Sequence, residues 1–199
     1  MIVNKRSAFS LIELLVVIAV IAIITAILFP VIVGAKLRAQ VSRVHVELRQ
    51  VCDAVQMYCD DWNGKPPLAS ESCQQVKIDA YYELPEPLYK YISKQKFYDP
   101  FNPGRTYKYI APGLGYVNNS ISLITLYVPA DYPVSEQQCV AYRSQKTTPI
   151  KWVVWSVGPG KSRGLIEFAQ NMMPVRKRHW YPYDQDGIIV RLSDGRRSP

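Results

Sequence analysis

Signatures of catalysis are what this chain most clearly lacks. Its 199 residues include two histidines, His45 and His179, and neither has an acid or a nucleophile at a recognisable spacing. No Gly-x-Ser-x-Gly and no His-Glu-x-x-His occurs, which removes nucleophilic-serine and zinc-protease chemistry. The four cysteines, Cys52, Cys59, Cys73 and Cys139, form no Cys-x-x-Cys pair and give no zinc-site spacing. Gly158-Pro159-Gly160-Lys161-Ser162 copies the end of a phosphate-binding loop, but Trp155 stands where the leading glycine belongs. Asp184 and Asp186, just before Gly187, resemble the opening of a calcium loop, with no glutamate placed to close an EF-hand. A protein without enzymatic activity or an obligatory cofactor is expected.

Charge is scarce as well, in one place. From Leu14 to Ala35 the only polar side chain is Thr25, and Pro30 and Gly34 are the only residues that disfavour a helix. At about 1.5 Å per residue, some 20 such residues cross a bilayer core. Lys5 and Arg6 precede this run, and Glu13 lies at its start. A carboxylate in hydrocarbon costs roughly 3 kcal/mol and is retained where something needs its charge.

Ala8-Phe9-Ser10-Leu11-Ile12-Glu13, behind its short basic leader, resembles the class III signal of type IV pilins and type II secretion pseudopilins. The resemblance implies that a prepilin peptidase cuts between Ala8 and Phe9 and that the new N-terminus is methylated. It places Glu13 near the N-terminal amine of a neighbouring subunit and makes the chain a building block of a filament. Ala8 replaces the glycine usual before the cut, a small-for-small change expected to slow cleavage without abolishing it. Pro30 also stands where the family carries a proline, and its missing N–H and bulky ring are expected to kink or locally melt the helix.

Two other readings of the segment compete. A plain signal anchor accounts for length and leader but leaves Glu13 unexplained. A secretory signal cleaved after Ala35 suits Val33-Gly34-Ala35, yet the apolar stretch exceeds the usual 7–15 residues. Basic residues flank both ends, with Lys36, Arg38 and Arg43 following, so charge does not set the orientation. The resemblance supplies it: one pass through the bacterial inner membrane, with the head on the periplasmic or extracytoplasmic side.

Beyond Ala35 the apolar residues thin to a seam: Leu37, Val41, Val44, Leu48, Val51, Val55, Tyr58. Spacings of four and three residues put them on one face of a helix. Asn63-Gly64 followed by Pro66-Pro67 predicts a stop near Trp62. One helix of roughly 50 residues, on the order of 80 Å long, is thus expected. Met57-Tyr58-Cys59-Asp60-Asp61-Trp62-Asn63-Gly64-Lys65-Pro66-Pro67 resembles the helix end of major pseudopilins of type II secretion. His45 is placed on a solvated surface of this helix. Cys52 and Cys59, about 10 Å apart on it, cannot pair and are expected as free thiols beside the seam. Cys73 and Cys139 fall in loop-like segments of an exported head and are the candidate disulfide.

Residues 1–8 therefore read as leader, 9–35 as transmembrane and filament-core helix, 36–62 as stalk and 63–199 as one globular head. Fifteen prolines and fourteen tyrosines suit a loop-rich head. Strands are predicted at Ile121–Val128, Tyr107–Ile110, Lys151–Val157 and Gly187–Leu192, with a short helix at Leu84–Tyr91. The expected fold class is α+β, a long N-terminal helix packed on a small antiparallel β-sheet. Ser156-x-Gly158-Pro159, followed later by Tyr183-Asp184 and the Ile189-Val190-Arg191 strand, resembles the C-terminal part of pseudopilin-like proteins. Because major pseudopilins hold calcium in a C-terminal loop, the resemblance also allows a Ca2+ site at Asp184 and Asp186.

The formal charge of +8 is unevenly spread. Residues 141–199 hold 11 Lys and Arg against 4 Asp and Glu, whereas residues 9–140 hold 11 against 12. Arg176, Lys177, Arg178, Arg196 and Arg197 are its knots, with Trp180, Tyr181 and Tyr183 beside the first. A solvated or subunit-contacting basic face is the simpler account. Binding of DNA or another polyanion is the sharper one. The expected function is a structural subunit of a type II secretion pseudopilus or type IV pilus-like filament. Its partners would be prepilin peptidase, an inner-membrane assembly platform and further copies of itself. A minor pilin that binds a polyanion, or a membrane-anchored binding protein that never polymerises, are the alternatives.

Overall fold

A computed structural model describes residues 10–71, 81–92, 97–134, 138–160 and 174–199. Ala8, Phe9, Cys73, Lys161 and Ser162 lie outside the described residues. One helix, α1, spans Leu11–Asp61. The chain divides into two compact units, Met1–Ala39 and Gln40–Pro199.

In the first unit α1 is long and apolar enough to cross a membrane. Its large apolar side chains, from Leu11 to Val33, are all exposed. The Thr25 hydroxyl donates to the Ile21 carbonyl at 2.7 Å and is thereby satisfied within the helix. Pro30 lies inside α1, which continues unbroken past it. The local melting expected there is corrected: proline deletes one backbone hydrogen bond, and the cooperative ladder on both sides outweighs that loss.

In the second unit α1 presents Val44, Leu48, Val51 and Val55, fully buried, with Ala54 and Cys59 joining them. Val41 and Tyr58 are partly buried against the same core. The predicted seam is therefore the face that packs. The helix ends in a Schellman-type stop, in which the Gly64 N–H reaches the Cys59 carbonyl at 2.8 Å and Asn63 takes a left-handed φ of 53°.

The head's strands are β1 (Ser70–Glu71), β2 (Lys108–Ile110), β3 (Gly113–Val117), β4 (Ser120–Ile124), β5 (Leu126–Pro129), β6 (Cys139–Tyr142), β7 (Val153–Ser156) and β8 (Ile189–Leu192). They make three small sheets, ordered β1-β3-β4, β2-β7-β8 and β5-β6. Every pairing is antiparallel except β1 with β3. The α+β expectation holds, with the single sheet divided into three. The expected strand Ile121–Val128 is broken at Thr125 into β4 and β5, which belong to different sheets. The helix expected near Leu84–Tyr91 is a 3-10 turn at Glu86–Lys90.

The central sheet β2-β7-β8 forms one apolar cluster with the α1 seam. Alternation along β2 and β7 is lost because both are buried throughout. Two tyrosines fix the helix and its exit loop to this core. The Tyr107 hydroxyl donates to Glu47 at 2.6 Å, and the Tyr109 hydroxyl donates to the Pro67 carbonyl at 2.8 Å. Glu47 is also paired with Arg43 at 2.7 Å, so its charge is met from both sides.

Candidate functional site

The N-terminal end of α1 carries the first site. The Leu14 N–H bonds to the Ser10 carbonyl at 3.2 Å, which makes Ser10 the residue that caps the helix. Glu13, three positions on, accepts the Ser10 N–H at 2.9 Å. Ser-x-x-Glu is one half of a capping box, a local signal that reading Glu13 only as a membrane charge had missed. Capping contributes about 1 kcal/mol. That is less than the roughly 3 kcal/mol an intramembrane carboxylate costs, so the cap alone does not account for Glu13.

The C-terminal loops carry the second. Gly158 has a φ of +72°, and a Cβ there would lie 1.9 Å from the Gly187 carbonyl oxygen. A Cβ on Gly160 would lie 2.3 Å from that of Asp186. These glycines let two backbones touch, which is their task in place of cradling phosphate. Asp184 in turn accepts the Asp186 N–H at 3.1 Å and shapes the turn into β8. Among the described residues no three His, Cys, Asp or Glu side chains converge as a metal site would require. Calcium at Asp184 and Asp186 would have to complete its shell from backbone carbonyls.

Three of the five basic candidates come together. Lys177, Arg196 and Arg197 line one cleft of about 380 Å3, with Trp180, Tyr183 and Pro199. Arg196 lies over the Tyr132 ring at 4.9 Å and 3.6 Å from Asp194. Arg176 and Arg178 are engaged elsewhere, donating to Cys139 Sγ at 3.1 Å and to His179 Nε2 at 3.2 Å. Trp180 is buried and donates its indole N–H to the Pro174 carbonyl, so Tyr183 is the ring free for stacking.

His45 is a correction. It is half-buried where a solvated position was expected. Its pKa falls below the ordinary 6.5 through burial first, then the Arg191 and Arg197 charges, with the Pro199 backbone opposing. The unfolded chain therefore takes up this proton first as pH falls. The stability His45 contributes is full above about 6.5 and is lost on acidification below it. Denaturation curves recorded at pH 8 and pH 5 are expected to show that loss, and His45→Gln is expected to reduce it.

Cys59 is buried, Cys52 half-buried, and both are free thiols as expected. Burial pushes the Cys52 thiol up to about 12, so it is inert at neutral pH. Cys139 is also a free thiol, and its expected partner Cys73 is not among the described residues.

Sequence reasoning missed Asp99 altogether. It is 1 % exposed and its carboxylate accepts the Phe101 N–H at 2.9 Å, the Ser156 hydroxyl at 2.8 Å and the Val157 N–H at 2.9 Å. Burial pushes its pKa up, against the opposing pull of those donors and the Lys108 charge. The run Asp99-Pro100-Phe101-Asn102-Pro103-Gly104 is a turn signature that pointed to it.

One long apolar N-terminal helix followed in sequence by small sheets is a pilin-like α+β architecture. The prokaryotic N-terminal methylation motif matches residues 3–29. That motif is the hallmark of type IV pilins and pseudopilins, and here it covers the basic leader, Glu13 and the first part of α1. No curated protein and no solved structure matches the chain.

Proposed function

We propose that this chain is a structural, non-enzymatic subunit of a type II secretion pseudopilus or a closely similar pilus-like filament. Cleavage between Ala8 and Phe9 frees the amine that is then methylated. Before assembly the subunit sits in the bacterial inner membrane by one pass, head on the extracytoplasmic side, where an assembly platform extracts it. The observation that carries the reading is Glu13, the one charged side chain between Phe9 and Ala35, inside the matched motif. In the filament it neutralises the Phe9 amine of the adjacent subunit and sets the axial register. Apolar helices then pack against one another in place of lipid, and Pro30 eases the repacking.

The test is disulfide crosslinking through single cysteines placed along residues 9–35 of the full-length protein. Ladders of linked copies are expected, and a monomeric anchored protein gives none.

A second reading has one observation in its favour, the gathering of Lys177, Arg196, Arg197 and exposed Tyr183 around one cleft. A basic groove with a stacking ring suits single-stranded nucleic acid. Its binding would weaken steeply between low and moderate salt, and Lys177→Ala would reduce the salt slope by about 1. Absence of binding at low salt ends this reading.

A further inference from the structure

The hairpin β3–β4 turns an apolar face to solvent. Leu114 stands directly opposite Leu123, and Tyr116 opposite Ile121. Cross-strand partners point to the same side of a sheet, so the four make one patch. They are 61 %, 53 %, 41 % and 70 % exposed. The hairpin is well formed, because Asn118 and Asn119 both take the positive φ of a tight two-residue turn. β4 is moreover an edge strand of its sheet. A contiguous apolar patch on a formed edge marks a contact surface.

An open groove of about 400 Å3 continues the patch. Pro67, Leu114 and Leu123 line it, and Lys65, Arg143 and Lys146 are the charged residues around it, with no acid among its lining. All three cations are exposed, and none forms an ion pair among the described residues.

The same head carries a surface of the opposite character. Asp53, Met57, Asp60 and Asp61 fall on one face of α1, all exposed. Asp53 and Met57 line a groove of about 310 Å3 with Tyr91 and Ile92. Asp60 and Asp61 sit in the last helical turn, where the helix dipole disfavours negative charge, and no basic residue accompanies them in that turn. Asp60 accepts the Gln56 side-chain amide at 2.9 Å, and Asp61 accepts the Tyr91 hydroxyl at 2.5 Å and lies 3.9 Å from Lys90. Asp60, whose partner is a neutral amide, keeps an exposed charge that a cation of complementary placement can meet.

We infer that the β3–β4 face of one head, with its rim of Lys65, Arg143 and Lys146, docks on the Asp53–Met57–Asp60 face of a second copy of this chain. The occupant is a second copy because both complementary halves are present in one sequence. Two different patches pairing head to tail build an open helical filament wherever the rotation between copies does not close into a ring. The inference rests on the polymer reading above and adds a contact that the N-terminal helices do not supply.

The test places a photo-reactive benzophenone side chain at Ile121 or Leu123 of the full-length protein in membranes, beside the helix-cysteine crosslinks. Illumination is expected to give linked copies whose joined peptide maps to residues 50–62. Lys146→Glu and Asp60→Lys should each cut the yield about ten-fold, and the two together should restore it. Helix crosslinks without this link overturn the docking surface and leave the polymer intact. Loss of both overturns the polymer reading and this one with it. A link to β4 of the other copy, or to a different protein, overturns the assigned partner face.

Discussion

Glu13→Ala is expected to leave the protein folded and membrane-inserted while filament assembly is lost. The helix keeps its apolar surface and sheds an intramembrane charge, which by itself favours insertion by roughly 3 kcal/mol. In the proposed filament, what disappears is the partner of a neighbouring amine. Because Glu13 also caps Ser10, Ala removes two interactions together. Glu13→Gln separates them, since a glutamine at that position still accepts the Ser10 N–H but carries no charge. Assembly is therefore expected to fail in Gln as in Ala, with helix content unchanged. Filament incorporation by Gln at the native level would reduce Glu13 to a capping residue. Quantifying sheared filaments against the membrane-retained pool measures this directly.

Asp99→Ala is expected to have the largest effect on the head. The change strands three donors, the buried Val157 N–H and Ser156 hydroxyl and the part-buried Phe101 N–H. Each unsatisfied buried donor costs about 1–3 kcal/mol, and partial relaxation leaves a total on the order of 3–5 kcal/mol. A head of this size has a stability of about 5–15 kcal/mol, so the variant stands near unfolding. Asp99→Asn retains one acceptor oxygen and is expected to lose about half as much. Chemical denaturation in detergent, followed through the tryptophans, measures both. Equal and small losses would mean that the loop between residues 99 and 105 is not held by this carboxylate.

The helical half of the molecule was legible in the sequence because its signals are local and periodic. The three-and-four spacing from Val41 to Tyr58 names the packed face, and Asn63-Gly64 names the stop where the chain turns left-handed. The head was less legible for physical reasons. Ile121-Ser122-Leu123-Ile124 alternates like a half-buried strand, yet its alternating apolar residues face solvent and only Ile124 is buried. Alternation reports that two faces differ and is silent on which one is covered. β2 and β7 are buried throughout and so offer little alternation to read. His45 looked solvated on its helix because the groups that act on it, the Arg191 and Arg197 charges and the Pro199 backbone, come from the far end of the chain. Among the basic residues, the clusters at 176–178 and 196–197 were visible as composition. That Lys177 joins Arg196 and Arg197 while Arg176 turns to Cys139 is a matter of tertiary placement.

In the proposed filament Glu13 has a partner only if an amine has been freed within its reach, so the first residue of the mature polypeptide is decisive. Mass spectrometry of the N-terminal peptide, purified from membranes, reads this in one measurement. A peptide starting at Phe9 with one added methyl group is the predicted result. A peptide starting at Met1 or at Lys36 would leave Glu13 without that amine and would contradict the filament reading.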